Sequence, residues 1–316
     1  MSDKYNWTED KVRQLKQLYD SEIGWLEISK VMKCTPDQAR MKYRNTWGET
    51  GAFLGKEAVE VEQPRIALFD VETLPLVGYA WGMYEQNIGM EEVISGTGLL
   101  SWAGKFLNGA EMYSDILTSK EAPQKNDKRI TKSCWEFLSN CDIVVGHNLV
   151  GFDSKVVNTM FLKHDLPPLK YVQVDTLQVA RNNFRFDSNK MGFINRALGI
   201  REKMSNEGFP LWKNCHNGDK QALKTMLEYN QNDVLALEDL YYKLRPYIRN
   251  INFALYNETD LSICPVCGSA DLDDDGHYYT PAGKWKAVRC NDCNAPSRRK
   301  TNLLDKDKRK SLLINS

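Results

Sequence analysis

Residues 65–73 form a nearly continuous apolar run, RIALFDVET, within a chain of 316 residues. A run of this kind is typical of a central strand in a sheet that is covered on both faces. Asp70 and Glu72 interrupt the run two residues apart, so both carboxylates lie on one face of the strand. Burying two like charges together costs free energy unless a cation neutralises them. The run therefore predicts an α/β domain whose central strand holds a metal ion, although a strand end with solvated acids would show the same pattern.

Two later segments place acidic residues in similar settings. Residues 142–148 predict a second apolar strand, and the helix that follows has Asp153 in its first turn, where the helix dipole favours an anion. Residues 219–244 predict a long helix on which Tyr229 and Asp233, four residues apart, share one face. Three separate segments thus each carry at least one acidic residue in a setting that favours a functional role.

The order of these groups resembles the three motifs of the DEDD exonuclease superfamily, which has an RNase H-like fold. The tyrosine four residues before the last aspartate marks the DEDDy branch, like the proofreading domains of family B polymerases, whereas the DEDDh branch has histidine where this chain has Glu228. The resemblance covers residues 65–244 and implies a mixed sheet flanked by helices, with residues 74–120 as its next two strands. The matching residues are Asp70-x-Glu72, Asn148-x-x-x-Phe152-Asp153 and Tyr229-x-x-x-Asp233, with weaker similarity at Asp175-Thr176-Leu177 and Lys190-Met191-Gly192-Phe193-Ile194.

The residue types in these motifs suit two-metal hydrolysis of a phosphodiester. Carboxylate oxygens are the ligands that Mg²⁺ and Mn²⁺ prefer, and two such ions about 3.5–4 Å apart activate water and stabilise the leaving oxygen. Tyr229, with an ordinary pKa of about 10, is a poor base at neutral pH and is expected to orient the attacking water. The four predicted ligands are Asp70, Glu72, Asp153 and Asp233.

The resemblance also implies contacts with the substrate. Asn148 and Phe152 would contact the terminal nucleotide, by a hydrogen bond and by packing, and Lys190 would meet a phosphate. Two alternatives stay open, because Phe152 could be a core aromatic and Lys190 an ordinary exposed helix residue. We expect His147 to have a structural role at the end of its strand and not to bind metal.

Residues 1–50 predict a small all-α domain. Thr8 is the expected N-cap of a first helix that continues to Gly24, residues 25–32 predict a second helix, and a capping box at residues 35–38 begins a third. Three short helices with a basic last one resemble the Myb/homeodomain-like helix-turn-helix group. That resemblance implies DNA binding, and a docking bundle with solvated basic residues is the alternative. The implied DNA contacts are Arg40, Lys42 and Arg44.

Four of the eight cysteines form two Cys-x-x-Cys pairs separated by 22 residues, a spacing typical of a structural four-cysteine zinc site of the zinc-ribbon type. A redox Cys-x-x-Cys would need only one pair in a thioredoxin-like context. The other four cysteines are scattered and are expected to be reduced. The predicted zinc ligands are Cys264, Cys267, Cys290 and Cys293, and the flanking bases Arg298 and Arg299 are predicted DNA contacts.

The formal net charge is zero, with 42 basic and 42 acidic residues, which by itself disfavours a polyanion partner. However, the bases are concentrated on the third N-terminal helix and around the second cysteine pair, and bound metal ions would offset the acids. Since no apolar run reaches the roughly 18–20 residues of a membrane span and the N-terminus lacks a signal-like segment, we expect a cytoplasmic protein of a prokaryotic or phage-infected cell.

These patterns predict a divalent-metal-dependent site. The DEDDy resemblance implies a 3′–5′ exonuclease that prefers single-stranded 3′ ends, and the helix-turn-helix resemblance favours DNA as its substrate, in replication or repair. A polymerase or another replication protein is a candidate partner. Two other functions remain open, namely an exoribonuclease of the same superfamily and a sequence-specific DNA-binding regulator with a non-catalytic core. The predicted parts are a helix-turn-helix domain (1–50), a linker (51–64), an exonuclease domain (65–250), a zinc ribbon (258–300) and a basic tail (301–316).

Overall fold

The computed structural model describes residues 7–21, 25–34, 39, 42–43, 46, 63–256 and 261–314. By its internal contacts the chain divides into two compact units, Met1–Val61 and Glu62–Ser316. Within the described residues, no helix combines the length and apolar character that crossing a bilayer requires.

The N-terminal unit contains helices α1 (Glu9–Asp20) and α2 (Trp25–Met32). The Thr8 hydroxyl caps α1 as predicted, since it accepts a hydrogen bond from the backbone N–H of Lys11 at 3.4 Å. The helix ends at Asp20, short of the predicted end at Gly24, because the backbone of Ser21 leaves the helical conformation (φ −86°, ψ 8°). The core of this unit consists of Leu15, Ile28, Met32, Ala39 and Tyr43.

The predicted capping box at residues 35–38 and the predicted DNA contacts Arg40 and Arg44 lie outside the described residues. Lys42 is described and is half-buried. Most of the predicted linker also lies outside them. The helix-turn-helix assignment therefore stays a prediction.

The larger unit is built on a five-stranded mixed sheet with the order β5-β4-β1-β6-β7. Strand β1 is central, antiparallel to β4 on one side and parallel to β6 on the other, which confirms the predicted mixed α/β class. Ala67, Leu68 and Phe69 of β1 are completely buried, as the apolar run predicted. The strands are β1 (Ile66–Leu74), β4 (Gly98–Phe106), β5 (Met112–Ile116), β6 (Ile143–Gly146) and β7 (Val172–Asp175).

Residues 74–120 supply the sheet strands β4 and β5 as expected, but they also contain a separate two-stranded ribbon, β2 (Val77–Gly78) and β3 (Val93–Ser95). Trp102 is buried in β4, whereas Trp81 lies outside the strands with 97% of its surface exposed.

Helices cover both faces of the sheet. Consecutive residues of β4 point to opposite faces. Trp102 donates to Ser133 of α3 (Lys128–Leu138), while Ser101 donates to Asn230 of α8 (Lys220–Leu244). Asp219 caps α8 by accepting from the backbone N–H of Ala222 at 2.7 Å, close to the predicted start of this helix. The helices are α3 (Lys128–Leu138), α4 (Asp153–Lys163), α5 (Thr176–Asn183), α6 (Met191–Leu198), α7 (Phe209–His216) and α8 (Lys220–Leu244).

Short 3₁₀ turns (Arg245–Tyr247 and Phe253–Leu255) follow α8 and lead to a second sheet of three strands in the order β10-β9-β8. The backbone N–H of Phe253 donates to the carbonyl of Pro265, which ties the loop of the first cysteine pair to the segment after α8. The elements of this region are β8 (Leu272–Thr280), β9 (Gly283–Cys290), β10 (Pro296–Asn302) and the short helix α9 (Lys306–Ser311).

Candidate active site and zinc centre

The carboxylates of Asp70 and Glu72 on β1 and of Asp233 on α8 meet at one place, with one oxygen of each within 4.8 Å of the others. Asp153, the first residue of α4, is almost completely buried beside them. Its Oδ1 accepts a hydrogen bond from the backbone N–H of Val71 at 3.1 Å, between the two acids of β1. The structure thus brings together all four carboxylates that the sequence nominated.

A buried amide that the sequence analysis missed fixes α8 against the sheet. Asn230 is fully buried, donates to Asp70 Oδ2 at 2.7 Å and accepts from the hydroxyl of Ser101 at 3.0 Å. Because it adjoins Tyr229 in sequence, this clamp also sets the position of the tyrosine. No motif identified Asn230, although its position three residues before Asp233 places it on the same side of the helix.

The cluster carries more negative charge than its surroundings neutralise. Burial raises the pKa of Asp70 well above its usual range, and the neighbouring carboxylates of Asp153, Asp233 and Glu72 raise it further. Burial together with the Asp233 charge raises the pKa of Glu72 to about 7, and burial raises the pKa of Asp153 to about 7. The site is therefore poised to take up positive charge.

Lys203, in the segment between α6 and α7, supplies part of that charge. Its Nζ lies 2.6 Å from Asp233 Oδ2 and 5.7 Å from the centre of the Tyr229 ring. Burial lowers the pKa of Lys203, but the charges of Asp233 and Asp70 outweigh this effect, so the ammonium form is favoured. Sequence reasoning missed this residue because a lysine in an irregular segment belongs to no periodic pattern.

The donor set fits a divalent metal ion. Asp233 Oδ1 is buried and has no hydrogen-bond partner, whereas Oδ2 is engaged by Lys203. A buried carboxylate oxygen without a partner costs free energy, and a metal ion at this position would remove that cost. Carboxylate oxygens favour Mg²⁺ or Mn²⁺ over softer metals.

At neutral pH the buried hydroxyl of Tyr229 is protonated and does not act as a base. Burial and the charge of Asp233 raise its pKa to about 12. The ring packs edge-on against Trp212 of α7, with ring centroids 6.2 Å apart. The hydroxyl thus keeps its proton at neutral pH and is held rigidly.

The predicted substrate contacts lie on the loop between β6 and α4. Asn148 is exposed with a left-handed backbone (φ 71°), and its side chain covers Gly151 so closely that a Cβ there would collide with it. Asp175 holds this loop by accepting from the backbone N–H groups of Asn148 and Val150. Phe152 is 42% exposed, so the alternative of a core aromatic is wrong.

His147 and Lys190, the other two residues named near this loop, lie in different surroundings. Both ring nitrogens of His147 are engaged at 2.9 Å, one by the Thr176 hydroxyl and the other by the carbonyl of Asn189, in keeping with a structural role. Lys190 is exposed at the N-terminus of α6.

The four cysteines of the two Cys-x-x-Cys pairs converge, with all four sulfurs within 4.8 Å of one another. Sγ–Sγ distances are 3.6 Å for Cys264–Cys293 and 3.5 Å for Cys267–Cys290. These are far longer than a disulfide bond and close to the roughly 3.7 Å edge of a tetrahedron with Zn–S bonds of about 2.3 Å. The cluster fits a zinc ribbon.

The two loops of the centre have the same backbone pattern. Gly268 (φ 77°) donates its N–H to the carbonyl of Cys264, and Asn294 (φ 61°) donates to that of Cys290. Each loop is thus closed by a residue in the left-handed conformation directly after its second cysteine. Gly268 also packs closely on Phe253, where a side chain would not fit.

The predicted DNA contacts Arg298 and Arg299 lie on β10 and are exposed. The Arg298 guanidinium stacks over the ring of Trp285 at 4.5 Å and lies 5.6 Å from the ring of Tyr278. Arg299 donates to the hydroxyl of Ser262. Tyr278 is 49% exposed and Trp285 is half-buried, and arginine beside such rings is a combination found where proteins bind nucleic acid.

Residues 105–245 match the sequence profile of the RNase H superfamily. This segment is an RNase H-like domain. The domain contains Asp153, Tyr229 and Asp233, while Asp70 and Glu72 lie on the strand that precedes the matched segment and pairs with β4.

No curated protein matches the chain. Among solved structures, the chain is similar to a family B DNA polymerase from the hyperthermophilic archaeon Pyrobaculum calidifontis, with a TM-score of 0.43 and 16% sequence identity. The likeness covers 58% of this chain and 25% of the polymerase, so the chain corresponds to about a quarter of that protein's length. The RNase H-like domain and its carboxylate cluster support a nuclease.

Proposed function

We propose that the chain is a DEDDy-type 3′–5′ exonuclease that hydrolyses DNA from the 3′ end and depends on two divalent metal ions. The observation that carries this proposal is the convergence of Asp70, Glu72, Asp153 and Asp233 with Tyr229 on one side of the sheet. The RNase H-like domain adds support, because it belongs to a superfamily of metal-dependent nucleases.

In this proposal the four carboxylates hold the metal ions and Tyr229 orients the attacking water. Bound Mg²⁺ or Mn²⁺ would lower the pKa of a water molecule and stabilise the charge on the leaving 3′ oxygen. Because the pKa of the Tyr229 hydroxyl is raised to about 12, the group is protonated at neutral pH and can donate a hydrogen bond that orients the water. The Lys203 ammonium lies near enough to offset charge that accumulates on the reacting phosphate.

The flanking modules are proposed to hold the substrate. The zinc-ribbon face with Arg298, Trp285 and Tyr278 combines positive charge with one exposed ring and one half-buried ring, a combination suited to single-stranded nucleic acid. The helix-turn-helix contacts Arg40, Lys42 and Arg44 are proposed on the sequence resemblance alone.

The decisive experiment compares 5′-labelled and 3′-labelled oligonucleotides incubated with Mg²⁺ or Mn²⁺. We expect a ladder of shortened 5′-labelled products and immediate release of the 3′ label as a mononucleotide. Products cut internally, or release of mononucleotides from the 5′ end, would refute the proposed polarity. Parallel reactions on RNA, and on recessed and mismatched DNA ends, test the DNA preference against an exoribonuclease.

A separate measurement tests the zinc centre. We expect one zinc ion per chain, released with a mercurial reagent and quantified with a colorimetric chelator. Cys290→Ser should lose the ion, whereas Cys34→Ser, which changes a cysteine outside the cluster, should retain it. Retention of full zinc content by the Cys290 variant would contradict the assignment.

A further inference from the structure

A cleft of about 440 Å³ lies at the loop that carries Asn148, between helices α5 and α6. Arg181 of α5 and Lys190 at the start of α6 line it, together with the polar residues Ser188 and Asn189. None of the described residues that line the cleft carries a carboxylate. The charge of the cleft lining is thus opposite in sign to that of the carboxylate cluster.

The cleft adjoins the carboxylate cluster through two short connections. Gly192, two residues after Lys190, faces Lys203, since a Cβ at Gly192 would stand 3.9 Å from Lys203 Cγ. Lys203 in turn pairs with Asp233. On the other side, the loop from Asn148 leads within five residues to Asp153. A strand with its 3′ end among the carboxylates could therefore extend into the cleft.

Both cations of the cleft are available to an anion. Arg181 and Lys190 are exposed, and neither forms an ion pair within the described ranges, whereas Arg196 on the same helix as Gly192 is engaged by Glu202 at 2.8 Å. Burial lowers the pKa of His147, and the charges of Lys203 and Arg181 act in the same direction. The fixed positive charge belongs to the arginine and the lysine.

The geometry points to this cleft as a subsite for an internucleotide phosphate of the substrate strand, with Arg181 as its principal ligand. The inference rests on the proposed nuclease function and extends it by one nucleotide or more from the scissile bond. A guanidinium binds two phosphate oxygens through parallel N–H groups, which an ammonium cannot do. The Lys190 ammonium and the Ser188 hydroxyl complete the polar lining.

The test compares Arg181→Gln, Arg181→Lys and the matched control Arg196→Gln on two substrates. One is a single-stranded DNA oligonucleotide, and the other is the p-nitrophenyl ester of thymidine 5′-monophosphate, which has no internucleotide phosphate. We expect Arg181→Gln to raise the oligonucleotide KM about tenfold or more with kcat little changed. Hydrolysis of the ester should stay within about twofold of the unmodified protein. Arg196→Gln removes the same charge and should leave both substrates unaffected.

Salt dependence supplies a readout that a misfolded variant would not reproduce. The slope of log KM against log salt should fall by about 0.7 in Arg181→Gln and stay unchanged in Arg181→Lys, since only the former removes a phosphate contact. An unchanged oligonucleotide KM in Arg181→Gln would overturn the inference. Equal losses on the oligonucleotide and the ester would also overturn it, because they would assign Arg181 to the terminal nucleotide or to its released monophosphate.

The proposed function can fail separately from this subsite. If the unmodified protein hydrolyses neither substrate, anisotropy of a labelled oligonucleotide still measures binding. Weaker binding by Arg181→Gln alone would then retain the subsite and remove the nuclease proposal. Equal binding by all variants would remove the subsite.

Discussion

Two groups of carboxylates in the same domain have opposite electrostatic settings. Asp115 and Glu121 surround Arg129, whose guanidinium lies 2.7 Å from the first and 2.9 Å from the second. The hydrogen bond from Arg129 lowers the pKa of Glu121 to about 2, whereas burial raises the pKa of Glu72 in the other group to about 7. The comparison separates acids that the protein neutralises itself from acids that it leaves for an external cation.

The difference follows from how each group is assembled. Arg129 also donates to the carbonyl of Ile116 and so links α3 to the end of β5, which makes this network structural. In the other group, Lys203 engages one oxygen of Asp233 and leaves the second without a partner. A surplus of buried negative charge is a cost in folding that is retained where a metal ion is needed.

The largest expected effect is on catalysis by Glu72→Gln. Removing one ligand charge should lower the nuclease rate by about 10³-fold, because metal-ion stabilisation of the transition state contributes several kcal/mol. Thermal unfolding without metal should occur at the same or a higher temperature, since the change relieves repulsion. The control Glu121→Gln should leave the rate unchanged, and a Glu72 variant with more than a tenth of the normal rate would remove Glu72 from the site.

Arg129→Met should act on stability alone. It leaves Asp115 and Glu121 without their shared donor, so we expect the free energy of unfolding to fall by about 1–3 kcal/mol. A value in the lower half of this range is expected because the Arg129 side chain is nearly half exposed and solvent screens the interaction. Urea denaturation measures this change. A loss of nuclease activity at temperatures where the variant is folded would contradict a purely structural role.

Lys203→Met removes the cation that partly neutralises the carboxylate cluster. Without this ammonium the metal-free carboxylates repel one another more strongly, so the metal-free Tm should fall by about 2–4 °C, as expected for a loss near 1 kcal/mol in a domain of this size. The increase in Tm upon addition of Mg²⁺ should become larger. Lys170→Met, at an exposed position, should change neither value. A smaller Mg²⁺ shift would show that Lys203 supports metal binding and does not compete with it.

The last comparison is a pair of opposite pH dependences. The pKa of Glu72 is raised when folded, so its ionisation costs stability, and this cost should grow as the pH rises from about 4.5 to 7 in metal-free protein. The pKa of Glu121 is lowered, so its stabilising contribution is present above about pH 4.5 and is lost as the pH falls towards 2. Unfolding free energies of Glu72→Gln and Glu121→Gln, each referred to the unmodified protein across pH, should therefore slope in opposite directions.

The elements with a clear pattern of apolar and polar residues could be predicted from the sequence. An apolar run with two interrupting acids identified β1, and a spacing of four residues placed Tyr229 and Asp233 on one face of α8. The end of α1 at Asp20 and the exposed ribbon around Trp81 were not predictable, because neither follows from hydrophobic period. Asn230 was not predictable because its partners Ser101 and Asp70 lie 129 and 160 residues away. Arg129 was not predictable because its pairing with Asp115 and Glu121 follows no periodic pattern.

The sequence by itself determined which side chains could hold metal, because carboxylate and thiolate donors at fixed spacings on strands, helices and tight loops leave few other arrangements. Only the tertiary structure decided how those acids are charged. That depends on burial and on groups such as Lys203, which reaches Asp233 from a separate segment. The cleft with Arg181 is likewise a product of packing, since α5, α6 and the Asn148 loop meet there only in the folded chain. Spacing fixes the identity of donors within an element, whereas electrostatic free energy depends on distances between elements.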